Sequence, residues 1–315
     1  MGVGARWSTI RRLAGYGAAT SMSLYLAVKV VWVAVGLFGY GPDDFGQADW
    51  VVLNAVTVVM SATGVALGLA LAQLWGRGLR AGPVLFFSWV GAGFLVPMLP
   101  YMVASVGLGM LGVDLDGGAD SGGDGGGDGS GAMPGWETVF LGLGFAGTAV
   151  GLAVALPIYL RERWPRAFLG RVGDGPAPSS VLATAGVVAA AGLGLLWSYW
   201  ALGGTAGFDP GHRDHWDLNG QLLNASSGMC ALAGAWSVWT LTNRRPARLR
   251  QWVPMTLAFG ASGSLFAWSA WKLAMVVFSP GGFVPAEYAA VAVVEHVVSI
   301  GAGLALVTAV IRAHR

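Results

Sequence analysis

The sequence predicts an all-α integral membrane protein. Three observations carry that class. Apolar stretches long enough to cross a bilayer recur about eight times, positive charge gathers on alternate connections, and the second half repeats landmarks of the first. Only helices and closed barrels satisfy the backbone in lipid, and runs of about twenty residues select helices over barrel strands. A mean hydropathy of +0.62 with 11% charged residues excludes a disordered chain and argues against a soluble globule, which averages about 25% charged. The expected partner is the lipid bilayer of the cell membrane. No nucleic-acid motif occurs, and the net charge of +2 conceals a segregation of charge rather than a basic surface.

In chain order the spans are expected near 16–40, 50–75, 83–111, 136–160, 180–204, 218–242, 253–278 and 286–311, separated mostly by Gly and Pro clusters. Arg6, Arg11 and Arg12 precede the first run as they would in a signal peptide. The run continues to Tyr40 without a convincing cleavage site, which predicts an uncleaved first helix. The single cysteine, Cys230, lies in an apolar run and can form no internal disulfide.

The Lys and Arg residues lie mainly at the two termini and on the connections holding Arg77 and Arg80, Arg161 to Arg171, and Arg244 to Arg250. The opposite connections carry Asp43, Asp44, Asp49, the series from Asp114 to Asp128, Asp209, Asp214 and Asp217. By the positive-inside rule both termini are cytoplasmic, and an even number of spans, eight, agrees with the alternation.

Self-comparison adds a repeat at a shift of about 170 residues. Leu53-Asn54-Ala55 recurs as Leu223-Asn224-Ala225, Gly64 as Gly234, Gly93 with Leu95 as Gly263 with Leu265, and Trp32 with Gly36 as Trp200 with Gly204. Past the Gly/Asp-rich stretch the shift shortens: Glu137 recurs as Glu287 and Gly151 as Gly301. The expected layout is therefore first-repeat helices 1–3 over 1–111, a flexible extracytoplasmic insertion over 112–135, first-repeat helix 4 and a cytoplasmic loop over 136–171, and the second repeat over 172–315. Four helices per half make the repeat parallel, 4+4, with a pocket expected at its centre or between the halves.

Charges inside the spans break this symmetry. Lys272 corresponds to Met102, Glu295 to Phe145, and Lys29 to Trp197. Lys272 and Glu295 flank the S-P-G-G-F-V-P turn at similar depth, so an interhelical ion pair is one expectation and a reactive or substrate-binding site the other. Lys29 adds a second cation that could snorkel or meet an anionic ligand.

Asp209, His212, Asp214, His215 and Asp217 crowd the start of the sixth span. The spacing matches no closed zinc pattern, so helix capping is expected there rather than a metal site. Asn54 and Asn224 recur just inside their helices, where amides bond across helices or line a pocket. Trp50, Trp136, Trp164, Trp216 and Trp252 suit interfacial belts, while Trp32, Trp89, Trp197, Trp200, Trp236, Trp239, Trp268 and Trp271 lie deeper. The deeper indoles either pack or wall a pocket that stabilises cationic charge.

With W-S-Y-W-A-L-G-G at Trp197 to Gly204, the Trp-rich duplicated pattern resembles multi-pass proteins of high-GC actinobacteria. It also resembles the bacterial membrane-bound terpene cyclases that act on prenylated indoles, in helix count and composition alone. The resemblance implies proton-initiated cyclisation of an isoprenoid within the bilayer, a step of secondary metabolism, and carries over no catalytic residue. Such chemistry needs a carboxylic acid, and Glu295 is the carboxylate well inside the hydrocarbon. An acid paired with Lys272 stays charged, which would turn the role over to Asp217, Asp49 or Glu287. The expected catalytic set is thus Glu295, Lys272, Asp217 and Asp49, with Lys29, Asn54, Asn224, Trp32, Trp197, Trp200, Trp268 and Trp271 binding a lipophilic small molecule. Neither a metal nor a cofactor is expected: G-L-G-F-A-G sits mid-helix, and no nucleophile elbow, zinc helix or P-loop occurs. A transporter using Lys29, Lys272 and Glu295 is the alternative, and a noncatalytic membrane partner docking through its arginine loops is a third reading.

Overall fold

The computed structural model describes residues 3–39, 48–113, 135–174, 180–213, 216–280 and 283–313. Among them the regular elements are helical: α1 (Val3–Phe38), α2 (Ala48–Ala72), α3 (Trp75–Gly78), α4 (Ala81–Leu95), α5 (Met98–Met110), α6 (Gly135–Arg163), α7 (Pro165–Phe168), α8 (Val181–Ala201), α9 (Pro210–Arg213), α10 (Leu218–Asn243), α11 (Trp252–Phe278) and α12 (Ala289–Ala313). Most of the Gly/Asp-rich insertion falls outside the described residues.

Seven stretches are long and apolar enough to cross a membrane: Arg6–Phe38, Val51–Ala72, Ala81–Met110, Val139–Arg163, Val181–Ala201, Trp252–Phe278 and Ala289–Arg312. The chain is accordingly a multi-pass helical membrane protein. The sixth expected span forms as α10, 26 residues long, but is not among the seven. Asn219, Gln221, Asn224, Ser226, Ser227, Ser237, Thr240 and Thr242 dilute its apolarity. The third expected span is divided into α4 and α5 by the turn at Val96–Pro97, because proline brings no N–H to the helical ladder.

The chain divides into two compact units, one comprising Met1–Phe87, Gly117–Leu156 and Val277–Val284, the other Ser88–Asp116, Pro157–Val276 and Pro285–Arg315. In the first, α1 starts well before the expected 16–40. Its basic first turns are helical, and Arg11 is buried, donating from Nη1 to the carbonyl of Leu71 at the end of α2. A cation there meets the negative end of the helix dipole. Helices α1 and α2 approach through Gly15 and Gly68; a Cβ on Gly68 would stand 2.8 Å from the nitrogen of Ala19. Gly144, Gly147 and Gly151 share one face of α6 and lie against Tyr25, Ser21 and Ala18 of α1, where Thr148 Oγ1 donates to the carbonyl of Ala18 at 3.2 Å. Small residues let backbones approach where no water-driven force pulls helices together.

In the second unit, α8 packs on α10 through Gly194 and Gly228 and on α12 through Gly186, while Gly234 of α10 faces Ala261 of α11. Gly303 of α12 lies against the carbonyl of Ser262, and Ser299 Oγ donates to that of Leu265 at 2.9 Å. Gly93 and Gly263 touch through their backbones, flanked by Trp89, whose indole donates to Ser262 Oγ at 2.9 Å and stacks on Phe266. The polarity of α10 follows from its interior place. Ser226, Ser237 and Thr240 are buried, Ser226 donates to the carbonyl of Pro97, and Asn219 accepts from the Tyr101 hydroxyl at 2.7 Å.

Two short pairings tie the connections of this unit. Val172 N donates to Leu249 O at 2.9 Å, Gly173 N to Ala247 O at 3.1 Å and Gln251 N to Gly170 O at 3.1 Å, joining the connection before α8 to the one between α10 and α11. The connection after α8 is joined to the segment before α12 by Asp209 N to Ala286 O at 3.0 Å and Tyr288 N to Gly207 O at 2.9 Å. Gly207 reaches this geometry with φ 89, a conformation glycine adopts without steric cost.

Candidate functional site

The buried ionisable residues considered for the site lie in two places, Lys29 in the first unit and Glu295 with His296 in the second. In the first unit Lys29 is 1% exposed. Its ammonium donates to Asn54 Oδ1 at 3.1 Å and sits 4.3 Å from the ring centroid of Trp32 and 5.6 Å from that of Tyr25. Tyr25 in turn meets Phe145 edge-on at 4.8 Å. The spacing of Tyr25, Lys29 and Trp32 puts all three on one face of α1, and α2 supplies the amide. Aromatic faces and an amide oxygen replace part of the hydration a buried ammonium loses. Sequence reasoning had named Lys29, Asn54 and Trp32, which the structure brings together. It had missed Tyr25, although the four-residue spacing from Lys29 is a visible signal.

In the second unit Glu295 and His296 follow one another on α12 and are 4% and 3% exposed. His296 Nδ1 stands 3.4 Å from Glu295 Oε1. Glu295 Oε2 and His296 Nδ1 are buried with no hydrogen-bond partner among the described residues. A buried polar atom without a partner costs free energy. Ser88 Oγ, His212 Nδ1, Ser237 Oγ and Thr240 Oγ1 share that condition, and Glu295 with His296 differ from the hydroxyls in being ionisable neighbours in sequence. Glu287, Lys272 and Trp197 are the electrostatic neighbours of the carboxyl, Trp197 as a hydrogen-bonding side chain from α8.

The ion pair expected between Lys272 and Glu295 does not form. Lys272 is on the exposed surface of α11, acts on Glu295 only through space, and makes no salt bridge among the described residues. Depth fixes how far along its helix each side chain lies, but the azimuth of α11 turns Lys272 outward. At about two turns from the end of α11 its stem can reach the membrane surface. His296 is not among the residues expected from the sequence, although an imidazole directly after the acid in an otherwise apolar run is a visible signal.

The remaining sequence-named residues do other things. Asp217 caps α10, its Oδ1 accepting from Gly220 N at 2.8 Å, and Asp209 Oδ1 accepts from Gly211 N at 3.0 Å. Asp214 and His215 lie outside the described residues, as does the side chain of Asp49. Asn224 turns back to the carbonyl of Gly220 at 3.0 Å. Trp200 is fully buried and organises the connection after α8. Its indole donates to Ala206 O at 2.9 Å, its carbonyl accepts from Trp216 at 2.9 Å, and Phe208 lies between the two rings. Phe208 bridges to Glu287, so the connection that carries this aromatic cluster is joined to the segment that carries the electrostatic neighbour of Glu295. Trp268 donates to the carbonyl of Phe94 at 3.0 Å, and Trp271 is half-buried. No family model, curated protein or solved structure matches this chain.

Proposed function

We propose that the protein is a membrane-embedded enzyme that protonates a lipophilic, isoprenoid-type substrate, with Glu295 as the acid. One observation carries the reading: a carboxyl buried on α12, free of an ion pair with Lys272, with one oxygen that no group among the described residues engages. An acid of that kind can carry a proton and hand it to a substrate, whereas a carboxyl salt-bridged to Lys272 would stand ionised with no proton to give. In the reaction the Glu295 O–H bond breaks as a C–H bond forms at an alkene, or an O–H bond at an epoxide. The cation closes a ring, and loss of a proton back to the carboxylate gives a product of unchanged mass. Trp197, hydrogen-bonded to the carboxyl from α8, places an indole beside it.

The topology belongs to the same proposal: eight spans, both termini cytoplasmic, and a parallel 4+4 repeat. The paired connections support α10 as a span in addition to the seven, which makes eight. The segments before α8 and after α10 hydrogen-bond to each other, so a chain that leaves this face along α8 returns to it along α10. The repeat gains support from Gly93 and Gly263, equivalent positions that touch as a residue and its copy do at a two-fold axis.

The test is incubation of membranes containing the protein with prenylated and epoxidised prenyl substrates. A product of unchanged mass and altered retention is expected, and Glu295→Gln should lower turnover about 10²–10⁴-fold while expression is kept. Full activity in that variant removes Glu295 from the reaction. A second reading, proton-coupled transport, is favoured by the Glu295–His296 adjacency, since buried carboxylate and imidazole neighbours are the parts of a proton relay. Substrate moved across a proteoliposome without chemical change, with proton flux dependent on both residues, would establish it instead.

A further inference from the structure

We infer that the paired connections 169–174 and 247–251 form a binding site for the phosphate headgroups of anionic lipids, independent of the chemistry at Glu295. The backbone pairing sets Arg171 directly opposite Arg250 in an antiparallel bridge. Residues opposite one another in such a pair project to the same side, where like charges repel and destabilise the pairing. Both side chains are exposed, as are those of Arg245 and Arg248 on the same connection. None of these four arginines forms an ion pair among the described residues. The nearby acid, Asp174, spends Oδ2 on the backbone N–H of Arg171 at 2.6 Å.

The pairing is nevertheless held firmly. Val172 is fully buried and Phe168 nearly so, and Arg244 reaches across to donate from Nη1 to the carbonyl of Val172 at 3.2 Å. A fixed backbone that faces two guanidinium groups and adds two more beside them suits a ligand carrying negative charge and several acceptor oxygens. Phosphate fits, because the guanidinium fork matches its oxygens two at a time. The surroundings select a lipid as its carrier. The site lies where α6, α8, α10 and α11 begin or end, and Leu169 and Trp252 expose 52% and 44% of their surface beside the arginines. A headgroup phosphate with an acyl chain meets both the charged and the apolar parts, which a free phosphate or an acidic peptide does not.

The experiment uses the purified full-length protein in nanodiscs of phosphatidylcholine with increasing phosphatidylglycerol or cardiolipin, lipids retained on extraction being counted by native mass spectrometry. Selective retention of the anionic lipids is expected. Arg171→Gln with Arg250→Gln should reduce it by about tenfold or more, at roughly fivefold per arginine near an anionic surface, and high salt should weaken it. Arg245→Gln with Arg248→Gln lies outside the bridged pair. It should also lower retention, so the test stands even if the first variant fails to fold. Arg12→Gln, exposed on α1, serves as the control and should change nothing. Equal retention of neutral and anionic lipid, unchanged retention in a folded variant, or full displacement by millimolar inorganic phosphate or by polyglutamate would each overturn the assignment.

Discussion

His296 illustrates how a side chain inside a membrane can be costly for the fold and valuable for the site. Its Nδ1 is buried without a hydrogen-bond partner among the described residues, next to a carboxyl whose Oε2 is in the same condition. Replacing an unsatisfied polar group by an apolar one of similar size removes a penalty of about 1–3 kcal/mol. We therefore expect His296→Leu to leave thermal stability in detergent unchanged or raised while turnover falls, as differential scanning fluorimetry and the substrate assay would read. A fall in both would make His296 a structural residue. Lys29, the other deeply buried ionisable side chain considered for the site, sits in different company: an amide and two aromatic faces. How much of this was legible follows from geometry. Lys29 and Trp32 could be grouped from spacing, because i and i+3 on one helix share a face whatever the packing, whereas Asn54 on α2 joins them only through packing. Lys272 and Glu295 could not, since only packing decides where around its axis each helix turns a side chain, and α11 turns Lys272 outward.

At the scale of elements, helix lengths were readable because bilayer thickness fixes them, and the expected segments lie close to the observed helices from α2 to α12. What hydropathy misjudges is α10, whose serines and threonines are hidden against neighbours rather than turned to lipid. Glycine usage gives the elements their spacing and a prediction. Gly93 and Gly263 meet backbone to backbone, so Gly93→Ala or Gly263→Ala must push α4 and α11 apart, at a cost of about 1–3 kcal/mol from overpacking. Gly260, on the same helix as Gly263, has nothing within 4 Å of its would-be Cβ. Gly260→Ala should be neutral or stabilising by about 0.5–1 kcal/mol, since alanine holds a helix better. Melting temperatures of the three variants, measured side by side, check the pair of expectations.

For the molecule as a whole, the segregation of arginine and aspartate carried the expected orientation, and hydrogen-bonded connections now give it a physical test. In a Cys230→Ser background, a cysteine at Ala247 should react with an impermeant maleimide only from the cytoplasmic side, and one at Ala206 only from the opposite side. Labelling of both from one side would mean that α8 does not part them and would remove the eight-span arrangement. The changed repeat shift makes the Gly/Asp-rich stretch an expected insertion, and most of it lies outside the described residues.

The polarity of α10 bears on how such a chain is made. On the eight-span arrangement, a nascent chain that has just released α10 offers the insertion machinery a segment whose amides and hydroxyls partition poorly into hydrocarbon by themselves. The groove that shelters them is complete only after α11 and α12 have been synthesised, since α12 and α11 both lie against α10. Biogenesis then has to hold α10 back, or retain it beside the translocon, until the last two helices arrive, and a chain truncated before Trp252 would strand it outside the bilayer.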